Sequence, residues 1–225
     1  ADFSFAHHTT ENFRALGELL APFPDGSPRL NETLPPPPAL PYDTLVLCHV
    51  AAGGTIAAEK SWPDAYWAEL ARRLAADGRM VGFTGVMADV PRVDAILKDA
   101  DLPPEKAFSL CGRFSLSELA AALKRTALLV TVDTGVLHLA SALGTPLVGL
   151  YGPSHPRQWG ALGTHTRNLQ APHPEAGFAA LGFERNANGL VIMPSLTVDT
   201  VMTAACKLLV GRNVVSPDGV EPSAL

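Results

Sequence analysis

The densest chemistry in the chain lies in six consecutive residues, Asp133-Thr134-Gly135-Val136-Leu137-His138. They join two apolar runs, ALLVTV (127–132) and GVLHLASALG (135–144), which read as a strand and a helix. Gly135 then opens a helix whose free N–H groups and positive dipole end face the carboxyl end of the strand. Thr134 adds a hydroxyl donor. His138 lies three residues on and returns to the same face one turn later. This grouping suits an anion with several oxygens, most simply a diphosphate. The plainer alternative is an N-capping aspartate, a helix glycine and a core histidine. Asp133 alone would favour that alternative; with Thr134, Gly135 and His138 at a strand end, the functional reading is preferred.

Other loops supply further candidates. TLVLCHV (44–50) is followed by AAGGTIAAEKSWP, with Gly53, Gly54, Thr55 and Lys60. Glycines let backbone approach a ligand closely, although GG-T by itself also fits an ordinary loop. Lys60 either places a compact charge on a phosphate or stands as a solvent-facing surface lysine. Asp89, after the next strand, either accepts ribose hydroxyls or favours a helix N-terminus. Phe114 is assigned by spacing to the core rather than to a base site. Ser154 and His155 lie in YGPSHP, where His155 fits a loop histidine. His7 and His8 carry no assigned role. Asp99 and Asp101 end a helix, which makes D-A-D a polar turn rather than a metal pair.

The elements that hold these loops alternate. Apolar strands are predicted at 44–50, 79–85, 106–112, 127–132 and 146–152, with a weaker one at 166–170. Helices are predicted at 64–78, 90–100, 115–125, 135–144 and 198–209, the third opened by a capping box of Ser115 and Glu118. Near-continuously apolar strands between helices predict an α/β fold, a Rossmann-like doubly wound parallel sheet covered on both faces. Ligands of such sheets bind at the carboxyl ends of the strands, where the candidate residues gather. Residues 9–21 predict a short helix with Thr10 as N-cap. Residues 22–41 hold eight of the 20 prolines and read as a semi-rigid linker. The expected division is 1–43 interdomain helix and linker, 44–210 Rossmann-like domain, 211–225 flexible tail.

Composition excludes several classes. The chain has 225 residues, 47% hydrophobic and 17% charged, which rules out disorder and a disulfide-stapled miniprotein. Acidic residues outnumber basic ones, 22 to 17, so no nucleic-acid partner is expected. Cys48, Cys111 and Cys206 are far apart and suggest neither zinc nor a disulfide framework, in keeping with a reducing compartment. No apolar stretch reaches the ~20 residues of a membrane span, and ADFSFAHHTTENF does not read as a signal peptide. G-x-G-x-x-G, G-x-x-x-x-G-K-[ST] and G-x-S-x-G are all absent.

VTVDTGVLHLASALGTPLVGLYGPSHP (130–156) resembles the signature of glycosyltransferase family nine, the ADP-heptose:lipopolysaccharide heptosyltransferases. Lys60-Ser61-Trp62-Pro63, F-T-G at 83–85 and R-F-S-L-S-E-L at 113–119 are similar too, in the family's order and spacing over about 44–160. The resemblance implies the C-terminal, nucleotide-sugar-binding half of a GT-B enzyme. Such an enzyme transfers heptose from ADP-heptose to the lipopolysaccharide inner core with inversion, without cofactor or bound metal. Thr55 and Lys60 would contact the diphosphate. Asp89 stands where the family usually has a ribose-binding glutamate, and Phe114 where residues flank the adenine. Asp133, Thr134, Gly135 and His138 match the segment that holds diphosphate and sugar. Ile56 departs from the usual small polar residue and removes one phosphate contact; Asp89 is one methylene shorter than glutamate.

The family's general base and acceptor surface belong to its N-terminal half, so no catalytic residue is named in this chain. The chain alone is expected to bind donor without transferring it. The implied partners are a nucleotide sugar, a lipopolysaccharide core acceptor and the N-terminal GT-B domain. The implied location is the cytoplasm, at the inner face of the membrane, with any peripheral membrane contact made by the N-terminal half. A non-catalytic nucleotide or nucleotide-sugar binding module is the alternative. An epimerase-like enzyme would want several acid/base carboxylates, and few are placed here.

Overall fold

The computed structural model describes residues 8–11 and 33–210. The described strands form one six-stranded, all-parallel sheet in the order β3-β2-β1-β4-β5-β6. The strands are β1 (Leu45–His49), β2 (Met80–Thr84), β3 (Ala107–Ser109), β4 (Leu128–Val132), β5 (Leu147–Tyr151) and β6 (Thr166–Gln170). The helices are α1 (Ala57–Lys60), α2 (Asp64–Ala76), α3 (Val90–Ala100), α4 (Leu116–Arg125), α5 (Gly135–Ala142), α6 (Pro156–Trp159), α7 (Gly189–Ile192) and α8 (Val198–Val210).

Alternate residues of each strand feed opposite faces. On β1, Val46 and Cys48 join a core with Trp67, Leu70, Ile96 and Val201 from α2, α3 and α8. Leu45 and Leu47 join a second core with Leu123 of α4 and Leu137 of α5. Both faces are dry, which is why these strands are apolar without interruption. The third strand is shorter than the predicted 106–112. Its ladder to β2 spans Ala107–Ser109, and the backbone then turns toward Gly112 at φ +68°. The Ser115 and Glu118 capping box is present at α4.

Two features position the site. The sheet order reverses at β1, which pairs with β2 on one side and β4 on the other. Their following loops therefore diverge and leave a crevice. The loop after β1 is then pinned by Trp62, which is fully buried, donates from its indole Nε1 to the Leu196 carbonyl at 2.8 Å, and meets Trp67 edge-on at 4.9 Å. That anchor explains the Trp-Pro after Lys60: it fixes where the lysine emerges. Ile56 is fully buried as well, so it anchors the same loop from its other end.

Residues 33–41 carry neither helix nor strand. At the N-terminal segment, His8 and not Thr10 precedes the helical residues 9–11, and its Nδ1 accepts from the Thr10 N–H at 3.2 Å. His8 is also not without a role. Its Nε2 donates to the Gly160 carbonyl at 2.9 Å, and Thr9 donates to the Gln158 carbonyl at 2.9 Å, docking this segment beside α6. The rest of the 9–21 helix, the proline-rich residues before 33, His7 and the tail from 211 lie outside the described residues.

Candidate functional site

Two adjoining clefts open at the carboxyl ends of the strands. The first, about 270 Å³, is lined by Lys60, Asp133, His138, Ser154, Trp159, Leu181 and Gly182, together with Gly53, Thr134 and Gly135. The second, about 370 Å³, shares Gly53, Thr134 and Gly135 and adds His49, Asp89, Val86, Leu116 and Val136, with Ala51 and Ala52. The shared residues are the N-terminus of α5 and the glycine loop facing it. A Cβ built on Gly53 or Gly135 would meet no atom within 4 Å, so both positions present bare backbone to open space. Neighbouring Gly54 sits at φ +87°, which a side chain would strain.

Asp133 is the hub of the first cleft. The residue is 6% exposed and its Oδ2 lies 2.8 Å from Lys60 Nζ. The same oxygen accepts from Ser154 Oγ at 2.7 Å. Among the described residues, Oδ1 has only His138 Nε2 nearby, at 3.9 Å, and keeps accepting capacity for a ligand. A carboxylate this enclosed needs a countercharge, and Lys60 provides it. Of the two readings of Lys60, the solvent-facing surface lysine is the one that does not hold: its side chain is 14% exposed, because Trp62 holds its loop against the β4 end. Thr134, not Asp133, caps α5, its Oγ1 accepting from the Val136 N–H at 3.1 Å. Asp133 is thereby freed for the ion pair.

In the second cleft, Asp89 Oδ2 accepts from the Val86 N–H at 2.8 Å and closes its own turn. Its Oδ1 takes no hydrogen bond from the described residues. Val86 and Leu116 are 65% and 71% exposed, apolar side chains standing free beside the opening. His49, at the end of β1, meets Thr84 Oγ1 through Nδ1 at 3.0 Å.

The structure thus brings Lys60, Asp133, Thr134, Gly135 and His138 into one cleft and Asp89 into its neighbour. Thr55 and Phe114 line neither. Thr55 is exposed on the loop rim, its carbonyl accepting from Arg185 at 3.4 Å. Phe114 packs against the core that holds Leu123 and Leu137. Ser154, noted in the loop after the fifth strand, is brought into the first cleft, whereas His49, at the end of the first strand, was not singled out by its sequence position. Sequence reasoning also passed over Trp159, Leu181 and Gly182, which no local pattern marks.

Burial pushes the His49 imidazole below the ordinary 6.5, against the pull of Asp89. His138 is lowered by desolvation too, opposed by Asp133. A depressed histidine pKa means the unfolded chain binds more protons in the window below 6.5. Stability from keeping His49 neutral is complete above that value and is lost as pH falls through the depressed one. Urea midpoints are expected to decline from about pH 7 to about pH 5, and His49→Gln to flatten the decline. An unchanged slope in that variant would assign the pH dependence elsewhere.

Among the described residues no group of three or more His, Cys, Asp or Glu is placed to hold a metal ion. No single described helix is long and apolar enough to cross a membrane.

The sheet order and the crevice at its carboxyl edge define a Rossmann-like domain of the kind that forms half of a GT-B fold. The chain belongs to glycosyltransferase family 9 (heptosyltransferase), whose family model matches residues 28–178. It is 36% identical over 141 residues to lipopolysaccharide heptosyltransferase 1 of Pseudomonas aeruginosa, a match covering 61% of this chain and 36% of that protein. The solved ADP-heptose lipopolysaccharide heptosyltransferase II of E. coli superposes with a TM-score of 0.61 at 25% identity, covering 78% of this chain and 49% of that one. The family 9 glycosyl transferase of Veillonella parvula superposes at 0.72 with 24% identity, covering 93% and 62%. The chain spans about a third of the Pseudomonas protein and half of the E. coli structure.

Proposed function

We propose that this chain is the donor-binding half of a heptosyltransferase of lipopolysaccharide assembly, and that its donor is ADP-heptose. The observation that carries this is the pairing of the α5 N-terminus, opened by the side-chain-free Gly135, with Lys60 at the junction of two clefts. The diphosphate would span Gly53, Thr134, Gly135 and Lys60, where backbone N–H groups, a hydroxyl and an ammonium converge. Asp89 would take ribose hydroxyls in the second cleft, with Val86 and Leu116 beside the base. The heptose would enter the first cleft, near Asp133 Oδ1 and His138. Thr55 and Phe114 stand as neighbours of the site, one on the rim and one beneath it.

In the reaction an acceptor hydroxyl attacks the anomeric carbon as the bond to the diphosphate oxygen breaks. ADP leaves with the electron pair, and the hydroxyl proton passes to a general base. Charge grows on the leaving phosphate, where Lys60 and the α5 N-terminus stabilise it. In-line attack from the opposite face inverts the anomeric carbon. The base and the acceptor site are assigned to an N-terminal GT-B half, which also meets the lipid-borne acceptor at the cytoplasmic membrane face.

The comparisons support this reading through family membership and through the E. coli relative, whose name carries ADP-heptose. Calorimetric titration with ADP, UDP and GDP, with and without EDTA, tests it. ADP is expected to bind tightest and to be indifferent to EDTA. Equal affinity for all three and for adenosine, or loss of binding with EDTA, would overturn it.

A further inference from the structure

We infer that Trp159 is the platform on which the donor's sugar ring rests, a specificity residue that separates nucleotide sugar from free nucleotide. The inference builds on the nucleotide-sugar reading above. The shared backbone at Gly135 takes the phosphates, and the cleft of Asp89 takes the nucleoside. The end that remains, beyond Lys60, must receive whatever the outer phosphate carries. That end has two unlike walls. One is polar, with the free Oδ1 of Asp133 and the His138 ring. The other is carbon, from Trp159 and Leu181.

Trp159 has no polar atom left to offer. Its indole Nε1 donates to the Ala180 carbonyl at 3.0 Å, its backbone N–H to the His155 carbonyl at 2.9 Å, and its own carbonyl accepts from Tyr151 Oη at 3.3 Å. What it presents to the cleft is aromatic carbon. The ring is also held in place, because Gln158 Nε2 donates to the same Ala180 carbonyl at 2.8 Å. That double tie fixes the loop on which Leu181 and Gly182 close the cleft, with Gly182 turning at φ +87°.

A sugar ring is two-sided in the matching sense. Its hydroxyl edge accepts and donates hydrogen bonds, and its C–H face is apolar. An aromatic wall opposite a carboxylate fits that ligand and gives nothing to a phosphate, which needs donors. Polar groups fix orientation and the aromatic supplies contact area.

Trp159 can be read directly. The chain has three tryptophans, and Trp62 and Trp67 are fully buried, which leaves Trp159 as the one a solvent quencher reaches. Acrylamide quenching of the purified chain is measured free, with saturating ADP, and with saturating ADP-heptose. ADP-heptose is expected to protect the fluorescence and ADP to leave it nearly unchanged. Trp159→Leu should bind ADP within about twofold of wild type and ADP-heptose about tenfold more weakly, with Trp159→Phe between. Should Trp159→Leu not fold, the phenylalanine variant and the wild-type quenching decide. Equal protection by ADP would place the nucleotide itself on Trp159 and overturn the inference, as would wild-type ADP-heptose affinity in both variants. Failure of ADP to bind the wild type would instead remove the underlying nucleotide-sugar reading, and this inference with it.

Discussion

Lys60→Ala is expected to weaken ADP binding about ten- to a hundredfold, because a hydrogen bond to a charged group contributes roughly 1.5–3 kcal/mol. It is also expected to lower stability, which a surface lysine would not do. Removing the ammonium leaves Asp133, 6% exposed, with Ser154 as its one close donor among the described residues. For a fully buried pair the loss is about 3–5 kcal/mol. Here the cleft admits water to the other oxygen, so about 1–3 kcal/mol is the expected cost. The double variant Lys60→Ala/Asp133→Asn separates the two effects. Neutralising Asp133 should restore the urea midpoint while ADP binding stays weak. A double variant that recovers ADP affinity would show that Asp133 repulsion, and not loss of a phosphate contact, explains the single variant. Wild-type affinity in Lys60→Ala would remove the lysine from the donor site.

The second expectation is larger in rate. Given ADP-heptose and a lipid A–Kdo acceptor, the 225-residue chain should bind donor and transfer no heptose. General-base help contributes a factor of ~10²–10⁴. Holding the acceptor hydroxyl in line with the anomeric carbon contributes a comparable or larger factor. Both are assigned to the opposing GT-B half, so their absence removes the chemistry and spares the donor cleft. Supplying the N-terminal half should restore turnover in a radiolabel transfer assay, and Lys60→Ala should depress that turnover. Robust transfer by the chain alone would show that a base and an acceptor site exist within these residues. Binding without transfer even in the reconstituted protein would favour the non-catalytic module.

The alternation of strand and helix could be read from the chain because its causes are local. A strand buried on both faces must be apolar at every position, as Leu45, Val46, Leu47 and Cys48 are. A helix start needs a cap within a few residues, as Ser115 and Glu118 supply for α4. The Asp133-Thr134-Gly135 run was recognisable for the same reason: a strand end, a cap and a helix N-terminus sit side by side in sequence. That Thr134 rather than Asp133 would cap was not recognisable, since both side chains are competent and the choice depends on what else claims the carboxylate.

What claims it is decided by tertiary structure. Lys60 reaches Asp133 only because β1 and β4 are neighbours in the sheet, and the order of strands is a property of how helices cover both faces. Ser154 comes from the loop after β5, and Trp159 and Gly182 from segments farther along, joined through the Ala180 carbonyl. Exposure is likewise not a property of a residue type. A lysine in a polar loop reads as solvated, and this one is enclosed because Trp62, two residues away, is drawn into the core. The sequence by itself determined the elements and the edge of the sheet where chemistry gathers, because propensity, capping and two-sided burial act over a few residues. The tertiary structure alone decided which loops meet, how the charge on Asp133 is balanced and which walls the cleft receives, because desolvation and pairing act between segments that only the folded sheet brings together.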